Sequence, residues 1–448
     1  MRKTSAILLT AIFALSAVSS TFGQLKVAPL NIKERTLANG LRVVSVQDSS
    51  SPTVAIHVWY DVGGKDDPIG KSGFAHMFEH MMFKSTKTMP NEKMDRLNED
   101  VGGFNNASTW PDFTNYYEVV PSNHLETLLW AESDRMINLN VDDANFSSER
   151  DVVKEEFRQG VLAQPYGRFY EFIDSRSFQK NNYKRGVIGN LDELSAATPA
   201  DANKFYKDFY RPDNAYLIVV GDFDQKQFDG WVDKYFGRIP KPSGRIPRSI
   251  DNEPAWTAER RYNEHGPIVP FPAVAITYLA PDSKSPDVPA LRVAETILSA
   301  GESSRLYQSL IYKQQIAQEA SFNADVRVDP GLLAFTAIAS EGKTPEMLEK
   351  ALLAELKLIQ DKPVSANELT KAKNQLVSQA IRRRENNDGK AIVVERAIAY
   401  QGDPKAVNSE IQQLQTVTIE DVQRVMKKYF NDKNRVVIYY TQEAGDKK

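Results

Sequence analysis

Cysteine is absent from all 448 residues. That one absence removes disulfides, thiolate zinc ligands, a lipidated cysteine anchor and cysteine nucleophiles. An excess of one charge is missing too. The 56 Lys and Arg stand against 59 Asp and Glu, a formal net charge of −3, so the chain carries no nucleic-acid footprint. The densest basic run, Ile381-Arg382-Arg383-Arg384, lies in a helical stretch and reads as a solvated face. Long apolar runs are confined to the beginning, where Arg2 and Lys3 precede SAILLTAIFALSAVSS and small residues lead into TFGQ. This is the pattern of a secretory signal over residues 1–23, too short and wrongly flanked to span a membrane, with cleavage after Ser19 or Gly23. No later segment is apolar enough to cross a bilayer, so the expected location is the periplasm.

What the chain does contain is a repeat. TPADANKFYKDFYRPDNAYLIVVGD begins at Thr198 and TIEDVQRVMKKYFNDKNRVVIYYTQ at Thr418, so that Thr198 matches Thr418, Asp201 matches Asp421 and Asn214 matches Asn434 at a constant offset of 220. Each copy is a capped helix ending in aromatics, then a turn, then a buried strand. TVAIHVWYDVGG and FPAVAITYLAPD are likewise two strands that run into turns and are followed by helices. A constant offset through several elements argues duplication. The polar, proline-rich stretch between the copies reads as a linker over residues 241–254. The expectation is an α+β chain of two duplicated domains, 24–240 and 255–448, each a mixed or antiparallel sheet packed with helices.

Histidine is scarce as well. Of only five, two share one turn in GFAHMFEHMMF, residues 73–83. His76 and His80 are four apart on a helix and converge on one side, giving half of a tetrahedral zinc site. Glu79 lies about 60° from His76, placed to face a bound water as a general base without being a ligand. The order His-x-x-Glu-His is that of the inverted zinc peptidases. His57, His124 and His265 stand singly and read as ordinary structural histidines. The duplicate of this segment, near residues 291–306, has no histidine, so the metal chemistry belongs to the first half. With no cysteine, a third ligand is a carboxylate or another histidine. The stretch 145–164 reads as a serine-capped helix that offers Glu149, Glu155 and Glu156, with Glu149 also readable as a first-turn acid complementing the helix dipole.

Taken together, GFAHMFEHMMFKST, FNNASTWPDFTNYYEVVP, ERDVVKEEF, FYRPDNAYLIVVGDF and GESSRLYQSLIYKQQ resemble the insulinase-like, or pitrilysin, family of zinc peptidases, which includes mitochondrial processing peptidase. The resemblance spans nearly the whole chain after the signal and keeps the family's order. It implies Zn2+ held by His76, His80 and Glu156, Glu79 as the acid–base group, and Glu149 as a supporting acid of the active site. It also implies that Asn106 and Ala107 belong to an edge strand to which a peptide substrate adds as a further strand. The fold it implies is one half of a clamshell that closes around oligopeptides or unfolded segments.

One departure bears on partners. The family borrows an arginine and a tyrosine, seven residues apart, from the facing half, and here Ile311 and Gln318 stand at those places. Arg305 and Tyr312 share the spacing, but Arg305 belongs to the upstream SSRL element, and the match reads as coincidence. The resemblance therefore implies a heterodimer with a paralogous subunit that supplies the arginine and tyrosine, favoured over a homodimer. The rival readings are a non-catalytic scaffold subunit of such an assembly, or a zinc hydrolase acting on another amide.

Overall fold

The computed structural model of the chain describes residues 27–248 and 252–443. The signal reading of residues 1–23 lies outside the described residues. The first sheet contains β1 (Ile32–Thr36), β2 (Arg42–Gln47), β3 (Thr53–Tyr60), β4 (Phe104–Thr109), β5 (Thr114–Pro121) and β6 (Ala215–Gly221), in the order β1-β2-β6-β3-β5-β4. The second contains β7 (Arg260–Gly266), β8 (Ala273–Leu279), β9 (Ala317–Asp325), β10 (Leu332–Ala339) and β11 (Arg435–Gln442), in the order β7-β11-β8-β10-β9. All pairings are antiparallel except β2 with β6 and β7 with β11. Without β1, the two sheets have the same order and the same single parallel pair. The fold is α+β with two mixed sheets, as the repeat implied.

The helices between strands of the first sheet, and just after them, are α1 (Phe74–Met81), α2 (Lys93–Glu99), α3 (Leu125–Asn138), α4 (Asp143–Phe157), α5 (Gly167–Ser177), α6 (Leu191–Ala196), α7 (Pro199–Phe209) and α8 (Gln225–Tyr235). Those of the second half are α9 (Val288–Ser299), α10 (Pro345–Asp361), α11 (Ala366–Arg382), α12 (Asn387–Gln401), α13 (Glu410–Thr416) and α14 (Ile419–Tyr429). The duplication reaches individual hydrogen bonds. Thr198 with Asp201 and Thr418 with Asp421 form the capping boxes that start α7 and α14. Asn214 Nδ2 then donates to Phe209 O at 2.9 Å, and Asn434 Nδ2 to Tyr429 O at 3.2 Å, closing the same turn in both copies.

Each sheet buries its second face against a helix from the other half. Val393, Val394, Ala397 and Ile398 of α12 lie on Val44, Val46, Ile218 and Val220 of the first sheet. In exchange, Phe169 of α5 packs with Ala275, Val436, Ile438 and Tyr440 of the second. Covered on both faces, β6 reads AYLIVVG and is buried along its whole length. Burying the four α12 side chains contributes at most on the order of 5–10 kcal/mol to holding the halves together.

Two local expectations differ. Helix α4 starts at Asp143, capped by Asp142 Oδ1 accepting from Asn145 N at 2.8 Å, and not by a serine. The earlier start moves Glu149 out of the first turn, where the dipole argument no longer applies to it. The run 381–384 is not all solvated, because Arg384 is buried and its Nη2 donates to Val407 O at 2.7 Å.

Candidate metal centre

Helix α1 can begin where it does because Gly73 adopts φ +96°, and a Cβ there would sit 2.8 Å from Ile188 O. The buried Asp67 carboxylate takes the amides of Gly73 at 2.6 Å and Ala75 at 2.8 Å, which satisfies the opening turn. Phe74, Ala75, Met77, Phe78 and Met81 are buried in the first core. The remaining face presents His76, Glu79 and His80.

Helix α4 packs beside α1 and brings Glu156 to that face. Glu156 Oε2 lies 3.7 Å from His76 Nε2 and 3.4 Å from His80 Nε2. One donor atom from each of the three residues lies within 4.8 Å of the others. Ligand bonds of about 2.0–2.1 Å around tetrahedral zinc place donor atoms roughly 3.3 Å apart, so modest closure of the side chains accommodates the ion. A two-histidine, one-glutamate set is the ligand set of catalytic zinc, which keeps a fourth position open. His76 Nδ1 is buried and has no hydrogen-bond partner among the described residues. Burial first, and then His80, push the His76 pKa down to about 4, so the imidazole is neutral, as a ligand must be.

The three acids that the helix reading left open separate cleanly. Glu156 faces both histidines. Glu149 stands behind His80, with Oε2 3.6 Å from His80 Nδ1 and Oε1 held by Lys84 Nζ at 2.6 Å and Ser148 Oγ at 3.0 Å. Burial opposes its charge, but the His80 and Lys84 contacts prevail and lower its pKa. Glu155 points to solvent, where Arg158 at 3.3 Å and Gln159 at 3.0 Å bind it.

Glu79 Oε2 accepts a hydrogen bond from Thr109 Oγ1 at 2.6 Å. Burial raises the Glu79 pKa despite that bond. Thr109 ends β4, the edge strand beside α1, which also carries Asn106 and Ala107. Asn106 is exposed, its Oδ1 accepting from Ala107 N at 2.8 Å, while Ala107 is buried. Sequence reasoning missed Thr109 and Lys84. Lys84 had a signal in its four-residue spacing from His80, although α1 ends at Met81, whereas Thr109 is set by strand placement alone.

The single histidines do not join the cluster. His57 is buried between Asp388 and Glu395, and His265 bonds Thr441 Oγ1 at 2.8 Å. In the second half, Ile311 packs on the second core and Gln318 Nε2 donates to Ala339 O at 3.1 Å. Arg305 is paired with Glu368 at 2.7 Å, while Tyr312 is 67% exposed.

Residues 42–190 match the family model described as Insulinase (Peptidase family M16), and residues 196–376 the model described as Peptidase M16 inactive domain. The chain belongs to the insulinase family of peptidases. The inactive-domain match begins late in the first half, runs through much of the second and does not include the histidine pair. Zinc protease PqqE of Helicobacter pylori is 30% identical over 408 residues, 90% of this chain and 91% of that protein. A probable mitochondrial-processing peptidase subunit beta of Arabidopsis thaliana is 24% identical, over 89% of this chain and 76% of that protein. The crystal structure of a protease from Helicobacter pylori superposes with a TM-score of 0.88 at 29% identity, covering 92% of this chain and 100% of that one.

Proposed function

We propose that the chain is an exported, periplasmic zinc metalloendopeptidase that cleaves oligopeptides or unfolded segments, with His76, His80 and Glu156 as the zinc ligands. The observation that carries this reading is the convergence of those three side chains beside a buried Glu79. Zinc held there acidifies water and polarises a peptide carbonyl. The remaining work belongs to the protein. Thr109 occupies Glu79 Oε2, which leaves Oε1 to take a proton from the attacking water and to return it to the leaving amine. Glu149 orients the His80 ring from behind. Asn106 and Ala107 lie on the edge of the first sheet, where a peptide adds as the next strand.

At the places of the arginine–tyrosine pair stand Ile311, which packs against the second core, and Gln318, which closes on a backbone carbonyl. A heterodimer with a paralogous chain bearing that pair completes the carbonyl-binding site, and a homodimer does not. The relative named as a beta subunit of a processing peptidase agrees with such an arrangement.

Cleavage of a quenched-fluorescent peptide pool, with and without chelator, tests the reading. Glu79→Gln should retain zinc and abolish turnover, and turnover retained by that variant refutes the assignment. Chelator-sensitive activity of the pure chain alone would keep the peptidase and discard the heterodimer. Activity that appears only with a paralogous partner supports both.

A further inference from the structure

A cavity of about 520 Å³ opens among α9, α11, α12 and α13, and none of its lining residues belongs to the metal centre. Leu376, Val393, Ala397 and Leu414 form an apolar wall. Three arginines share the same space from three helices, Arg292 of α9, Arg383 at the end of α11 and Arg396 of α12. The acids nearby are already engaged. Glu295 pairs with Arg292 at 3.3 Å, and Glu410 with the buried Arg384 at 3.5 Å. Among the described residues, neither Arg383 nor Arg396 has an ion-pair partner.

Arginines on a surface usually face water or an acid. Here two partly solvent-exposed arginines without an ion-pair partner among the described residues line one concave, partly apolar space, and the size lies within the roughly 300–1,000 Å³ of small-molecule sites. Burial, and then the charge of Arg396, depress the Arg383 pKa, and the charge of Glu410 offsets this only in part. A group that relieves this repulsion must be anionic, and one that also fills the wall must be apolar behind its head. A planar carboxylate suits the guanidinium fork.

We propose that this cavity binds an amphiphilic carboxylate, with the head between Arg383 and Arg396 and the apolar chain along Leu376, Val393, Ala397 and Leu414. Two sources carry that chemistry, a free fatty acid and the apolar carboxyl end of a peptide. Because α12 also covers the first sheet, a bound ligand tightens the contact between the halves.

Isothermal titration of the zinc-loaded protein with decanoate and with N-acetyl-trileucine tests this and tells the sources apart. Binding of either is expected, with decanol and N-acetyl-trileucine amide at least tenfold weaker. Arg383→Gln with Arg396→Gln should lower affinity at least tenfold, while leaving the melting temperature without ligand and the zinc content unchanged. Both arginines are exposed, so the double variant should fold. Equal binding by the double variant places the carboxylate elsewhere, for example on zinc, and overturns the proposal. So does equal binding of decanol, or no binding of either acid.

Discussion

Thr109, the last residue of the edge strand, holds the Glu79 carboxylate by a 2.6 Å hydrogen bond. The strand expected to carry substrate and the group expected to move the proton are therefore mechanically joined. Thr109→Val keeps the shape and deletes the donor. A hydrogen bond to a charged group is worth about 1.5–3 kcal/mol, so kcat should fall roughly 10- to 100-fold with zinc content unchanged. Thr109→Ser should recover most of the loss. Turnover of the valine variant equal to the parent would show that Glu79 needs no such support.

The three glutamates of α4 should separate by zinc affinity. Glu156→Gln removes a ligand and should release zinc to a competing chromophoric chelator. Glu149→Gln removes the partner of His80 Nδ1 and should weaken zinc roughly 10- to 100-fold. Glu155→Gln should change nothing, since that side chain meets only Arg158 and Gln159. Zinc lost equally from the Glu155 and Glu156 variants would move the third ligand.

Helix α12 is covered by the first sheet although it belongs to the second half of the sequence. Ile398, 3% exposed, packs in that interface. Ile398→Ala should cost about 2–5 kcal/mol. Calorimetry should show a single lowered transition, and two separate transitions would mean that the halves unfold independently.

Much of this was legible in the residues because short-range rules produced it. His76 and His80 are one turn apart, and the four-residue spacing fixes their shared face whatever surrounds the helix. The capping boxes at Thr198 and Thr418 are local, and their constant offset exposed the repeat. Choosing among Glu149, Glu155 and Glu156 was different, because it depends on how α4 lies against α1, a packing angle that no spacing encodes. The exchange of α5 and α12 was hidden for the same reason, since a helix apolar enough to cover a sheet does not state which sheet. The run 381–384 misled because charge pattern describes a solvated helix, and the chain turns at Arg383 to bury Arg384.

The fate of His57 gives the pH dependence. Its Nδ1 lies 2.9 Å from Glu395 and its Nε2 3.3 Å from Asp388, both on α12, while Asn115 also bonds Glu395 at 3.0 Å. Burial alone would lower the His57 pKa, but its hydrogen bonds to the Asp388 and Glu395 carboxylates, with their charges, outweigh it and raise the value from 6.5 to about 9. A pKa raised on folding gives stability that is complete below the unfolded value, near 6.5, and is lost as pH climbs through about 9. The full span is at most about 3 kcal/mol. Urea midpoints of the chelated protein should therefore fall between pH 6.5 and 9, and the His57→Gln variant should lack that slope while being less stable throughout. Should the variant not fold, titration of the His57 ring by nuclear magnetic resonance decides the matter directly. A ring that stays protonated to about pH 9 supports the buried ion pair between the halves, whereas one that titrates near 6.5 shows that the helix docks on a neutral histidine.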